Sequence, residues 1–269
     1  MNLVVTGSSS GIGKFLADAL AVGGHQICRL ARSPQLAQSG LALPCDVSDW
    51  KQVSECASKV GEKWQHVDGV ICCAAVQGPI GPAMSMDPVQ WQKTLRINLD
   101  GTFFTLRAFH PLFSRAPRRA KVICFSGGGS TAPRPNFAAY GVSKTGVLRL
   151  VETLATEWQQ QSVDINAIAP GAVATRMTEE VLAAGAAHAG QKEVEQAGKL
   201  SRDDSKTLER IKGLVEYLLS EKSDGISGKL ISAPWDPWAD LAKYRDDLAK
   251  SDIYNLRRVV PEDRGKKWN

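Results

Sequence analysis

Short apolar runs alternate along this chain with longer stretches in which apolar positions recur every three to four residues. The runs at 3–6, 26–30, 41–45, 70–74, 121–126, 163–168 and 229–233 have the length of strands. The stretches 12–22, 50–64, 88–113, 138–160 and 205–220 carry the helical period, and Asp204-Ser205 offers an N-cap to the last. Runs such as 3–6, 41–45 and 70–74 read as continuous apolar stretches, as strands do when both of their faces are buried. Strand–helix alternation of this kind builds a parallel sheet covered by helices on both sides, an α/β three-layer architecture. No repeat or low-complexity linker interrupts the pattern, so residues 1–233 are expected to form one domain.

Two segments depart from that rhythm. Residues 176–202 are rich in Ala, Gly and charge and contain no aromatic residue. A long insertion between a strand and the last helix is expected to serve as a lid or binding loop. Residues 234–269 run past the last strand and hold Trp235, Trp238, Tyr244, Tyr254 and Trp268. Such a tail is expected to dock on a surface of its own or a neighbouring subunit. For Trp235 and Trp238, packing or a subunit contact is favoured over stacking on a substrate.

Composition changes this picture little. With 269 residues, 43% hydrophobic and 23% charged, the chain has the make-up of a globular domain. The net charge of +5 is dispersed; its tightest group, Arg118, Arg119 and Lys121, reads as a solvated approach to a strand rather than a nucleic-acid surface. No window approaches the ~18 apolar residues of a membrane span. The first strand begins at Asn2 with no leader pattern ahead of it, so a cytoplasmic location is expected. The six cysteines lack Cys-x-x-Cys spacing and five lie in or beside apolar runs, which points to reduced, buried thiols and no metal site.

The first candidate chemistry is Thr6-Gly7-Ser8-Ser9-Ser10-Gly11-Ile12-Gly13, between the first strand and the first helix. Glycines there allow a tight turn and bring backbone N–H groups of Ser9, Ser10, Gly11 and Ile12 towards a pyrophosphate at a helix N-terminus. At the end of the second strand an acidic residue would bind a ribose 2′-hydroxyl, whereas an Arg accommodates a 2′-phosphate. The chain reads Leu30-Ala31-Arg32-Ser33, so Arg32 favours NADP(H), with NAD(H) the alternative.

The second is Tyr140-Gly-Val-Ser-Lys144. Residues at i and i+4 share a helix face, and an ammonium beside a phenol of pKa about 10 stabilises the phenolate. That pair suits an acid/base acting near neutral pH.

Taken together these residues resemble the short-chain dehydrogenase/reductase superfamily in its compact single-domain branch, from residue 2 to about 233. The resemblance implies a doubly wound, seven-stranded Rossmann sheet. It assigns the cofactor turn to Gly7 through Gly13, adenine contacts to Asp46 and Val47, and small backbone beside the cofactor to Ala74. It gives Asn98, in Arg-Ile-Asn-Leu, a proton-relay water, and sets Pro170, Gly171, Val173 and Thr175 against the nicotinamide. It makes Tyr140 and Lys144 the catalytic pair, both also in contact with the cofactor. Homodimers or homotetramers pairing helices 88–113 and 138–160 are implied as well.

Three departures stand out. The usual Asn-Asn-Ala-Gly is here Cys72-Cys73-Ala74-Ala75. The family's catalytic Ser falls thirteen residues before the Tyr, which is Gly127; Ser126 takes the role if one residue is inserted in Gly-Gly-Gly-Ser-Thr-Ala-Pro, with Ser130 the other candidate. The third is the tail. The implied activity is reversible hydride transfer between nicotinamide and a carbonyl or alcohol. Tyr140 exchanges the proton, Lys144 lowers its pKa and holds the nicotinamide ribose, and Ser126 hydrogen-bonds the substrate oxygen. Arg134, Asn136 and Gln77 are substrate candidates favouring a small polar molecule; Pro133-Arg134-Pro135 as a stiff loop with a solvated Arg is the competing reading. His188 reads as incidental. The alternatives in function are a non-catalytic NAD(P)-binding redox sensor and a sugar-nucleotide epimerase or dehydratase.

Overall fold

The computed structural model describes residues 1–34, 40–200 and 205–268. Seven parallel strands form one sheet in the order β3-β2-β1-β4-β5-β6-β7, so the chain runs outwards in one direction, returns to the centre and runs outwards in the other. The strands are β1 (Asn2–Thr6), β2 (Gln26–Ala31), β3 (Leu41–Pro44), β4 (Gly69–Cys72), β5 (Ala120–Phe125), β6 (Val163–Ala169) and β7 (Leu230–Ser232). This is a doubly wound Rossmann sheet. Its switch point lies between β1 and β4, where Thr6 stands in register with Leu30 on one side and Cys72 on the other. Ligands of such sheets sit outside the carboxyl ends of the strands at that point.

Residues along each strand divide between two faces. Val4, Cys28, Val70 and Val122 pack with Leu106, Phe109 and Val147 of α4 (Gly101–Phe113) and α5 (Ala138–Glu157). Leu3, Val5, Ile27 and Ile123 pack with Leu16 and Leu20 of α1 (Gly11–Val22) and with Ile211, Leu214 and Val215 of α8 (Ser205–Leu219). Both faces are therefore dry, which is why apolar residues dominate the strands. Asp49 caps α2 (Trp50–Lys63) by accepting from the N–H groups of Lys51 and Gln52. Asp204, named above as a cap for α8, lies outside the described residues.

The long helical stretch 88–113 is three pieces: α3 (Pro88–Leu95), a π-helical turn Arg96–Asp100, and α4. Residues 176–202 were expected only as a lid; they contain two helices, α6 (Arg176–Ala189) and α7 (Gln191–Gly198), with left-handed glycines at Gly185 and Gly190. Phe137, Val181, Ala189 and Ala197 form a small apolar cluster beneath them, apart from the main core.

The Arg118–Lys121 group corrects the sequence reading. Lys121 is buried, with its ammonium 2.8 Å from Asp164 and 2.6 Å from Asp224. Arg119 reaches Asp164 and Arg118 reaches Glu221. These cations are matched by acids from other elements. The tail folds back on its own chain: Leu230 N–H donates to the Tyr254 carbonyl, covering the free edge of β7, and Arg149 on α5 donates to Leu256 O. Trp238 meets Tyr217 at a tilted angle and donates to Ala233 O, whereas Trp235 is exposed. No helix among the described residues is long and apolar enough to cross a membrane, nor do they hold a cluster of metal-ligating side chains. The six cysteines are free thiols, five of them buried.

Candidate active site

The turn from β1 into α1 is shaped by close backbone approach. A Cβ on Gly7 would lie 2.7 Å from the backbone of Ala74, and one on Gly13 would lie 2.5 Å from Gly7 O. Gly7 and Gly11 also adopt positive φ, where a side chain is disfavoured. Ser10 occupies the N-cap of α1 without a side-chain cap bond, and no acidic residue lies in the first turn. The leading N–H groups and the positive end of the helix dipole thus face the sheet's carboxyl end uncovered, which fits a pyrophosphate.

Thr6 explains how residues 72–75 keep their place without the expected asparagines. Its hydroxyl accepts from the backbone N–H of Cys73 (3.1 Å) and of Ala74 (3.2 Å). At the ends of β2 and β3, Arg32 is exposed and makes no ion pair among the described residues. Asp46 accepts from the Ser48 N–H and hydroxyl, and Val47 is buried against Gly101 at the start of α4. After β6, Gly171 has φ 81°, Val173 is buried, and Thr175 begins α6 with its methyl 3.6 Å from where a Gly11 Cβ would be. The residues assigned to a dinucleotide therefore converge on one rim of the sheet.

Tyr140 and Lys144 stand one turn apart in the first half of α5, both buried. Lys144 Nζ donates to Phe125 O at 2.8 Å and lies 5.7 Å from the Tyr140 ring centre. Burial lowers the Lys144 pKa to about 8, against smaller opposing effects of the Cys73, Cys124 and Cys72 thiols. Burial also raises the Tyr140 phenol, and the Arg134 charge partly offsets it. Asn98 sits in the π-helical turn, fully buried. Its amide oxygen accepts from Val76 N–H, and its nitrogen donates to Val76 O and to the hydroxyl of Ser143. Asn98 thus ties the strand β4 loop to the residue preceding Lys144.

The residue facing the phenol from β5 is Gly127. A Cβ built there would be 2.4 Å from the Tyr140 hydroxyl oxygen. Ser126 is buried and its hydroxyl makes no hydrogen bond among the described residues, while Ser130 is buried where Thr145 donates to its carbonyl. Arg134 is not a solvated loop residue: it forms a bidentate pair with Glu193 on α7, Nε at 3.1 Å and Nη2 at 2.7 Å. Asn136, at φ 69°, accepts from Gly81 N–H and lies beside Gly190. Gln77 is buried with its amide nitrogen unpartnered among the described residues, and His188 is exposed near Gly81. Three segments, 77–81, 127–137 and α6–α7, thereby meet beside Tyr140. Sequence reading missed Glu193; only its contact with Arg134 marks it out. A cavity of about 750 Å³ lies elsewhere, among charged residues such as His25, Asp68, Arg118 and Glu216 at the amino ends of the strands.

Comparison with known proteins agrees with this geometry. A family model described as enoyl-(acyl carrier protein) reductase matches residues 7–233. The short chain dehydrogenase mpl6 of Monascus purpureus is 27% identical over 277 residues, covering 95% of this chain and 88% of that protein. The galactitol 2-dehydrogenase (L-tagatose-forming) of Cereibacter sphaeroides is 32% identical over 184 residues, 65% of this chain and 72% of the relative. In fold, the chain resembles a short chain dehydrogenase from Shigella flexneri 2a str. 301 complexed with NADP, with a TM-score of 0.73 at 24% identity, over 86% of this chain and 96% of that one. With the glycine turn, the Tyr140–Lys144 pair and the seven-stranded sheet assembled at one rim, the chain belongs to the short-chain dehydrogenase/reductase superfamily of oxidoreductases.

Proposed function

We propose that the protein is an NADP(H)-dependent reductase or dehydrogenase acting on a carbonyl or alcohol of a small, polar, uncharged substrate. The observation that carries this reading is the buried Tyr140–Lys144 pair beside an uncovered helix N-terminus. The nicotinamide nucleotide, when bound, supplies or accepts the hydride. Tyr140 gives its phenolic proton to the substrate oxygen in reduction and takes it back in oxidation. Lys144, charged below about pH 8, stabilises the phenolate and is placed to hold the nicotinamide ribose. Asn98 fixes the spacing between the β4 loop and α5, and its turn is where a relay water would lie. Gly7, Ser9, Ser10, Gly11, Ile12 and Gly13 hold the pyrophosphate, Asp46 and Val47 the adenine, and Ala74 and 170–175 the nicotinamide side. Arg32 selects the 2′-phosphate, because it is exposed at the end of β2 where no carboxylate competes.

The substrate class follows from the mouth. Arg134 is already matched in charge by Glu193, so a carboxylate would have to displace the lid's own acid. Gln77 and Asn136 remain as neutral polar groups beside it. The polyol named in the Cereibacter relative is of this uncharged, hydroxylated kind. We also assign residues 1–233 to one catalytic domain with 176–202 as its lid, 234–269 to an extension docked on the same subunit, and the active form to a homodimer or homotetramer.

A non-catalytic nucleotide sensor is the second reading, favoured by Gly127 where a hydroxyl is expected. Titration with NADPH and NADH followed by nicotinamide fluorescence, then addition of neutral ketoses, keto acids and simple ketones, separates the two. Tighter NADPH binding with oxidation by a neutral hydroxylated carbonyl is the expected result. Tight binding without turnover of any carbonyl would favour the sensor, and faster turnover of keto acids would reverse the substrate class.

A further inference from the structure

Residue 127 carries no side chain, so the substrate oxygen needs a hydrogen-bond donor from elsewhere. The three glycines after β5 show which group stands in its place. A Cβ on Gly127 would strike the Tyr140 hydroxyl, one on Gly128 would lie 3.7 Å from Arg134 Cδ and 3.8 Å from its Nη1, and one on Gly129 would lie 3.2 Å from Arg134 Cβ. The loop is therefore a bare floor on which the phenol and the Arg134 side chain lie next to each other.

Arg134 is held in one pose. Its guanidinium carbon is 3.8 Å from the Phe137 ring centre and 6.0 Å from that of Tyr140. Glu193 takes Nε and Nη2, and Nη1, the nitrogen against Gly128, has no hydrogen bond among the described residues. A guanidinium stays protonated at any working pH, and its planar fork fixes the third nitrogen once the other two are engaged. Preorganised donors of this kind, aimed where charge develops on oxygen, are a large part of catalysis in carbonyl chemistry.

We propose that Arg134 is a catalytic residue that donates from Nη1 to the substrate oxygen in place of a serine, and that Glu193 on the lid is the residue that positions it. This assignment rests on the reading of Tyr140 as the acid/base. As the carbonyl carbon gains hydride and its oxygen gains negative charge, Nη1–H shares that charge while the phenolic proton moves to the same oxygen. Glu193 on α7 fixes two of the three nitrogens, so seating of that helix and full orientation of the donor go together.

The test is steady-state kinetics of wild type, Arg134→Ala, Arg134→Lys, Ser126→Ala and Tyr140→Phe, with the carbonyl reduced fastest in the panel, with and without millimolar guanidinium ion. Arg134→Ala is expected to lose about 10²–10³-fold in kcat, the cost of one such donor, with NADPH affinity unchanged. Guanidinium should recover about tenfold of the loss or more in Arg134→Ala and nothing in Tyr140→Phe, and the loss in Ser126→Ala should be smaller than that in Arg134→Ala. A kcat for Arg134→Ala within about threefold of wild type, a loss confined to KM, a loss that guanidinium leaves untouched, or a larger loss at Ser126 would overturn the proposal. If Arg134→Ala does not fold, Arg134→Lys carries the test, since it keeps the charge for Glu193 but has no third nitrogen; full kcat there overturns the assignment. Full activity of Tyr140→Phe would instead sink the underlying mechanism, whatever Arg134 does.

Discussion

Replacing Gly127 by Ala puts the packing of the site to a direct test. The added Cβ would stand 2.4 Å from the Tyr140 hydroxyl oxygen and 3.1 Å from two ring carbons. Carbon and oxygen at van der Waals contact sit near 3.5 Å, so the phenol must retreat by about 1 Å. Its ring is buried and lies under the Arg134 guanidinium, which Glu193 and Phe137 hold in turn. The phenol therefore cannot move without disturbing its neighbours. Overpacking of this kind costs roughly 1–3 kcal/mol of stability. A reacting group displaced by about 1 Å loses about 10²-fold in rate. The assay is kcat/KM for carbonyl reduction alongside NADPH affinity and a thermal melt. A folded variant with unchanged NADPH binding and about 10²-fold lower kcat/KM is expected. Unchanged kcat/KM, or a Gly127→Ser variant faster than wild type, would show that the site has room for a side chain there and refute the argument.

Tyr140→Phe should abolish turnover and leave NADPH binding intact, which fluorescence titration checks; wild-type rates would exclude the phenol as acid/base. Arg32→Ala should weaken NADPH by about tenfold or more, the loss of one charged contact, while NADH changes little, and equal effects on both would remove the basis for the cofactor preference. Lys144 carries its charge below about pH 8 and loses it above. In the free enzyme kcat/KM should thus fall on the alkaline side with an inflection near that value, and Lys144→Met should lose the inflection along with most activity. The Cys72, Cys73 and Cys124 thiols face the same ammonium, so a Cys73→Ser variant that erased the inflection would assign it to a thiol instead.

Much of the scaffold is written in local pattern. Most strand runs announce themselves because burial on both faces leaves them rich in apolar residues, and the starts of α2 and α3 carry their own caps in Asp49 and Asp87. The glycine turn and Tyr140–Lys144 are equally local, needing only neighbours within a few residues. What escaped is tertiary. Lys121 looks like a surface cation until Asp164 from β6 and Asp224 from beyond α8 arrive beside it. The helices α6 and α7 bury few residues, Val181, Ala189 and Ala197 among them, so their apolar period is faint. The π-helical turn hides in an otherwise regular helix pattern, and its Asn98 bonds to Val76 on another segment. Spacing pointed to Gly127, chemistry pointed to Ser126, and only the position of the phenol shows which of them faces it.

Thr6 has a consequence for how such chains diverge. One hydroxyl on the central strand anchors the two amides that follow β4, and backbone amides are present whatever side chains positions 73 and 74 carry. The close approach on the other side is also to backbone, since a Cβ on Gly7 would strike the main chain of Ala74, so the glycines rather than the loop side chains carry the steric demand. An asparagine pair can drift to cysteine without the nucleotide rim coming apart. Conversely, Thr6→Val keeps the shape but strands both amides at once, so in this lineage the threonine should prove less replaceable than the residues that it holds.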